Sequence, residues 1–529
     1  MTDGQDIKSA PPKEAGRTET EPTAPSEESG EASKPNKRRW RERRSVHALR
    51  REALKDHAAW ADWDQRDNGE TRLPDGEEVH LAGLVLAEAF TPSTVPALRK
   101  GLEDFPGSRD KAKEEWLALL TKSRSAAGAG GWASLGVVRR IGDAFALLGS
   151  VDPALPDGIE AVWPYLFFPT PSLTVIVATF TLTDQAGDLS DLLRADYRAN
   201  ATDFRLQVYG RFGRLRAHIP WARPRSHGGS WTLRRAEDQK RLACESLITR
   251  READCWIWLA DRFPGRFSAE KSSDRPAARL LLTKESVPYS DSGRWLAPAG
   301  LSFGPGIWQS TDPAGWFLKF GDWPRDRRFT ITAAARSRDA ARGHGGGESG
   351  DTIWYLTQDF AVDQSALVAR WAMTCLLSLY TDRLAELRDR AGTRRRVSRP
   401  VRQGRDLDRY LIGDGLDAST VVSDLEGFTR HLSRFRRHVP EYSEYLDGYP
   451  EPLQSGQPAE LIPSMREQLQ AQAETLGRDT AATTVNIRAS AELRQSMANT
   501  RLQRVILCLT VLAITVAIIS LVVALHANR

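Results

Sequence analysis

Apolar residues are unevenly spread along this chain, and their spacing divides it into parts. From Val505 to Leu525, 21 consecutive residues carry no charge, no Pro and no Gly. As an α-helix this run would be about 31 Å long, close to the hydrocarbon thickness of a bilayer, so a transmembrane helix is expected over 505–525. Upstream, Ser172 to Thr183 (SLTVIVATFTLT) is dense in β-branched residues and predicts a strand. Further strands are expected at Leu206 to Phe212, Ala278 to Thr283, Trp316 to Phe320 and Arg328 to Ala334. Helical spacing is read at Asp110 to Lys122, Val137 to Leu148, Arg234 to Phe263 and Thr352 to Arg390. Leu407 to His438 also reads as helical, with a break near Gly413 and Gly415. Ala161 to Thr183 is uncharged as well, but Pro164, Pro169 and Pro171 break any helix there and argue against a second span.

The fold class expected is an α+β cytosolic body followed by an elongated helical stalk and one C-terminal transmembrane helix. Residues 1–36, rich in Pro, Glu, Ser and Thr, form a disordered tail. Residues 37–66 form a basic amphipathic helix with Val46, Leu49, Ala53, His57 and Trp60 on one face. Two readings of it stand: residues 37–55 rest on anionic lipid, or the arm docks on its own domain through Trp60 and Trp63. An α+β globular domain follows over 67–350, then a helical region with a basic linker over 351–446. The linker is Arg394 to Arg405; Arg394-Arg395-Arg396 reads better as solvated than as a site for lipid headgroups or RNA. A Pro-rich hinge is placed at 447–463, a helical stalk at 464–504, the membrane helix at 505–525 and a short external tail at 526–529. The stalk's apolar stripe is Leu469, Ala473, Leu476, Ile487, Ala491, Ala498 and Leu502.

Composition narrows the function classes. The chain is 27% charged and 40% hydrophobic, so most of it is water-soluble. The basic residues are 61 Arg and 13 Lys, a skew of high-GC bacterial coding that lowers the weight of any single Arg cluster. A formal net charge of +5 over 529 residues argues against a protein that coats nucleic acid. Cys244, Cys255 and Cys375 are far apart and odd in number, which fits a reducing compartment; Cys508 falls in the apolar helix. The N-terminus has no apolar signal core, and Arg501 and Arg504 flank the span on its N-terminal side. Both place the bulk of the chain in the cytoplasm.

Several motifs offer chemistry and lack its context. Gly300-Leu301-Ser302-Phe303-Gly304 matches G-x-S-x-G, but Pro298 precedes it and Gly304-Pro305-Gly306 denies the Ser a following helix. His344-Gly345-Gly346-Gly347 comes after that Ser, not before it. Gly128 to Gly131 follows a helix in this reading, where a phosphate loop needs a strand. Asp62-x-Asp64 and Asp406-x-Asp408 are carboxylate pairs without further ligands. No catalytic, cofactor-binding or metal residue is assigned.

Inside the apolar run, Thr510, Ala513, Ala517, Ser520 and Ala524 recur at three and four residues and form one small-residue face. Large Leu512, Val516, Ile519 and Val523 form another. In lipid, small faces favour close helix packing, so a homo-oligomer is expected through them. The layout over Ser464 to Leu525, a long helix running into a membrane helix, resembles CorA-type magnesium channels, although the family's Gly-Met-Asn signature and second span do not occur. It is also similar to membrane-tethered proteins of bacterial conflict and signalling systems. The expectation is a non-enzymatic, membrane-anchored, cytosolic binding or regulatory protein with an unknown ligand or protein partner. The alternatives are a CorA-like channel or pore subunit, as the resemblance implies, and an enzyme with an unrecognised site in the body.

Overall fold

The structure is a computed structural model, and it describes residues 57–106, 110–125, 130–140, 149–208, 226–290, 293–312, 314–321, 329–342, 353–393, 411–446 and 458–527. The chain divides into two compact units, Met1–Ala59 and Trp60–Arg529. The tail at 1–36, the basic segment 37–55, the linker Arg394 to Arg405, Asp406, Asp408 and His344 to Gly347 all lie outside the described residues.

The second unit is built on an eleven-stranded open sheet with helices on both faces. The strands are β1 (Val79–Phe90), β2 (Gly131–Ser134), β3 (Val137–Arg139), β4 (Gly149–Val151), β5 (Ile159–Thr170) and β6 (Leu173–Leu182). A two-stranded ribbon follows, β7 (Asn200–Val208) with β8 (Ser226–Arg234), and then β9 (Ala277–Thr283), β10 (Ile307–Asp312), β11 (Ala314–Phe320), β12 (Thr330–Arg336) and β13 (Glu441–Glu444). Across the sheet the order is β13-β10-β11-β12-β9-β1-β6-β5-β3-β4, with β2 also on β5. Only β9–β12 and β3–β4 are parallel neighbours. Every residue of β6 is buried, as a central strand covered on both faces requires.

The uncharged stretch Ala161 to Thr183 is thus two antiparallel strands, β5 and β6, joined by a tight turn. The helix expected over Val137 to Leu148 is not formed: Val137–Arg139 is a strand on β5, and 141–148 lie outside the described residues. Among the remaining elements, helix α1 (His57–Glu70) precedes β1, and α2 (Val95–Glu103) and α3 (Asp110–Ser123) follow it. On one face of the sheet lies α4 (Ala236–Arg262), where Trp258 meets Phe180 of β6 edge to face at 5.6 Å. On the other lies α5 (Ile353–Thr393), with Trp371 against Phe320 and Phe360 against Trp316. Gly83 of β1 allows that approach, because a Cβ there would sit 2.9 Å from a backbone oxygen and 3.0 Å from Thr357 of α5.

Within Leu407 to His438 the helical run is interrupted at the expected place near Gly413 and Gly415, and once more after Thr429. A π turn at Leu411–Gly415 leads into α6 (Leu416–Thr429), and α7 (Leu432–Arg436) is separate. The last helix, α8, runs unbroken from Leu461 to Ala527. It starts inside the segment expected as a hinge, because Pro463 falls in its first turn, where a missing N–H costs nothing. Residues 447–457 lie outside the described residues. Leu469, Ala473 and Leu476, the start of the expected stripe, are buried where α8 packs on α5 and α6. Leu502 is exposed, and the side chains of Ile487, Ala491 and Ala498 lie outside the described residues.

Candidate functional site

Two places stand out: the exposed end of α8 and a cleft in the body. Asn499–Leu521 is the one described helix segment long and apolar enough to cross a membrane, and none of it is buried. Arg501, Arg504, Thr510, Ala513, Ala517 and Ser520 are all exposed on it, and Ala524 is exposed just beyond it. The Thr510 hydroxyl donates to the Ile506 carbonyl at 2.8 Å, so its proton is held within its own helix.

The cleft, of about 350 Å³, lies between the β2 margin of the sheet, α5 and the turn from α7 into β13. Trp132 of β2 pairs with Phe167 of β5, and Ser134 with Tyr165. Trp132, Tyr165 and Phe167 therefore point to one face. Val362, Asp363 and Ala366 of α5 form a second wall, and His438, Val439 and Pro440 close the third side. Val439 and Pro440 lead into β13, the strand at the opposite margin of the sheet. The sheet is thus curled around α5, and residues near its two margins line one cleft.

Arg370 sets the geometry of the third wall. It is buried on α5, and its guanidinium donates to the carbonyls of Phe435 at 3.3 Å, Ala366 at 3.1 Å and Arg437 at 3.2 Å. No carboxylate pairs with it among the described residues, and burial pushes it down to about 10, which leaves it charged at neutral pH. By holding two carbonyls of the turn, Arg370 fixes the backbone that leads into His438, a non-glycine residue at φ +61°. Burial, then the charges of Arg437 and Arg370, lower the His438 imidazole below its usual value, so it is neutral at neutral pH. Arg434 lies over the Phe428 ring at 5.8 Å and against Gly130, whose φ of +99° also requires glycine. Arg370, Arg434, Arg437 and His438 line a small recess that shares Trp132 and Phe167 with the cleft.

Several other buried carboxylates hold backbone and hydroxyl groups in place. Glu88 accepts the N–H groups of Ala89, Phe267 and Ser268, and Glu77 accepts those of Lys284, Glu285 and Ser286. Asp417 of α6 takes the Thr91 and Ser93 hydroxyls, tying α6 to the end of β1. Cys244, Cys255 and Cys375 are buried, and burial pushes the Cys244 thiol up to about 12, away from nucleophilic chemistry.

The motif residues take ordinary places. Ser302 is exposed after a 3-10 turn (Arg294–Ala299) that ends at Gly300 in the left-handed region, and the next element is β10, a strand. Asp64 accepts the Ala199 N–H. No group of three or more His, Cys, Asp or Glu is placed to hold a metal among the described residues. Sequence reading passed over the cleft entirely. Two signals existed: Trp132, an aromatic residue set in a Gly-rich connector, and the basic run Arg434, Arg436, Arg437, His438. In comparisons with family models, curated proteins and solved structures, the chain matches none.

Proposed function

We propose that this is a membrane-anchored binding or regulatory protein, non-enzymatic, with its α+β body on the cytoplasmic side. The observation that carries the reading is the continuity of α8. One helix is packed into the body at Leu469, Ala473 and Leu476 and ends as an exposed apolar rod. In water, each exposed Leu, Ile or Val of that rod forgoes roughly 1.5–3 kcal/mol of burial. A bilayer removes this penalty. Between Val485, the last residue at the α6–α8 groove, and Asn499 the helix rises roughly 20 Å, a stalk that holds the body off the membrane surface. Arg501 and Arg504 at its N-terminal flank favour the cytoplasmic side for the body.

A chain truncated before Asn499 is the test. It should appear in the soluble fraction, whereas the full chain stays with membranes after alkaline extraction. A truncated chain that still resists extraction overturns the anchor. Protease added outside intact cells should leave the body uncut, and digestion of the body would reverse the orientation.

A further inference from the structure

The chemistry of the cleft specifies an occupant. One wall is flat and aromatic, and Trp132 keeps 45% of its surface exposed although it contacts both Tyr165 and His438. Flat apolar walls of this kind accept a planar ring by stacking. The adjoining end is cationic. Arg370, Arg434 and Arg437 have no carboxylate partner among the described residues, and His438 offers a neutral ring nitrogen beside them. Such a set favours an anion with several oxygen acceptors. The cleft volume of about 350 Å³ is in the range of small-molecule sites. The recess behind it, about 20 Å³, is too small for a phosphate, so the anion belongs at its mouth. Finally, His438 is held at positive φ, and Gly130 leaves space that Arg434 fills.

We propose that the cleft between β2, α5 and the α7–β13 turn binds a mononucleotide, with its base on Trp132 and its phosphate at Arg434 and Arg437. A planar ring and an anion on one small molecule are what the aromatic wall and the cationic end accept. The inference rests on the binding reading above and not on the membrane placement.

The experiment is calorimetric titration of the full-length protein in detergent micelles with AMP, GMP, CMP and UMP. Matching nucleosides and inorganic phosphate serve as separate arms. At least one nucleotide should saturate, at least about tenfold tighter than its nucleoside and than phosphate. Trp132→Ala and Arg434→Gln should each weaken it by about tenfold, while Trp132→Phe keeps most of the affinity. Circular dichroism checks that each variant is folded; should Trp132→Ala misfold, Arg434→Gln and Trp132→Phe decide. No saturation by any of the four nucleotides overturns the proposal. So does phosphate binding as tightly as the nucleotide, or Trp132→Ala and Arg434→Gln that bind like the wild type. The titration contains no bilayer, so its failure leaves the anchor standing, and a failed anchor leaves the titration valid.

Discussion

The indole of Trp132 and the imidazole of His438 meet edge to face, with ring centroids 6.1 Å apart and planes at 74°. The two residues come from opposite margins of one sheet, β2 beside β5 and the turn leading into β13. Their contact is a consequence of the curl around α5. Both ends depend on unusual backbone: Gly130 precedes β2 at φ +99°, and His438 itself sits at φ +61°.

That conformation predicts a separation between size and backbone at position 438. An L-residue in the left-handed region costs about 1–2 kcal/mol, and glycine is free of this penalty. His438→Ala removes the ring and keeps the strain. His438→Gly removes both, at the cost of a more flexible unfolded chain. The glycine variant should therefore be more stable than the alanine variant, by about 1 kcal/mol in urea unfolding. Equal stability of the two would mean that the turn relaxes when the ring is lost.

Much of the architecture can be read from local pattern, and what cannot has physical causes. β6 is legible because Thr, Val and Ile dominate it. β1 (VHLAGLVLAEAF) is not: its Leu and Ala favour helix, and Glu88 interrupts the apolar run. It is a strand because β6 and β9 pair with it on both sides, and tertiary pairing outweighs propensity. The exposed end of α8 is legible because a long uncharged apolar run shows in composition alone. The cleft is not, because Trp132 and His438 are about 300 residues apart and only the curl of the sheet joins them.

Glu88 predicts a pH dependence of stability. Its carboxylate is buried, and burial raises it to about 7 even though three backbone N–H groups oppose the shift. In the unfolded chain a Glu titrates near 4.3. Between these values the folded chain holds a proton that the unfolded chain has released. The contribution of Glu88 is therefore fully present below about pH 4.3 and is lost as pH rises through about 7. Glu88→Gln removes this proton. The difference between urea midpoints at mildly acidic and mildly alkaline pH should be smaller in the variant than in the wild type. An unchanged difference would show that Glu88 is ionised throughout.

Arg279 of β9 holds Glu245 of α4 with two bonds of 2.6 Å, and Glu252 lies at 3.5 Å. Burial would lower the guanidinium, but these two carboxylates outweigh it and keep it charged. Arg279→Ala withdraws a buried guanidinium from two partly or fully buried carboxylates and should cost about 3–5 kcal/mol. Adding Glu245→Gln and Glu252→Gln should recover part of that loss, because the uncompensated charge is then gone. A triple variant no more stable than Arg279→Ala would assign the cost to lost packing of the Arg stem.

The small-residue face of α8 gives a test of the proposal that copies of the chain associate. Leu469, Ala473 and Leu476 already pack against the protein's own body. At 3.6 residues per turn, the face carrying Thr510, Ala513, Ala517, Ser520 and Ala524 lies about 90° around the helix from that docked side. The small face and the docked side are therefore different sides of α8. The large face, with Val516 and Ile519, continues the docked side. In lipid there is little hydrophobic drive between helices, so close backbone contact over small residues decides which face pairs. Thr510 adds little by hydrogen bonding, since its proton is held by Ile506, and its role on this face is its size. Ala517→Leu should therefore weaken association by about 1 kcal/mol, roughly a fivefold fall in crosslinked oligomer in native membranes. Val516→Leu should leave the yield unchanged. Equal yields from both variants would remove the small face as the contact.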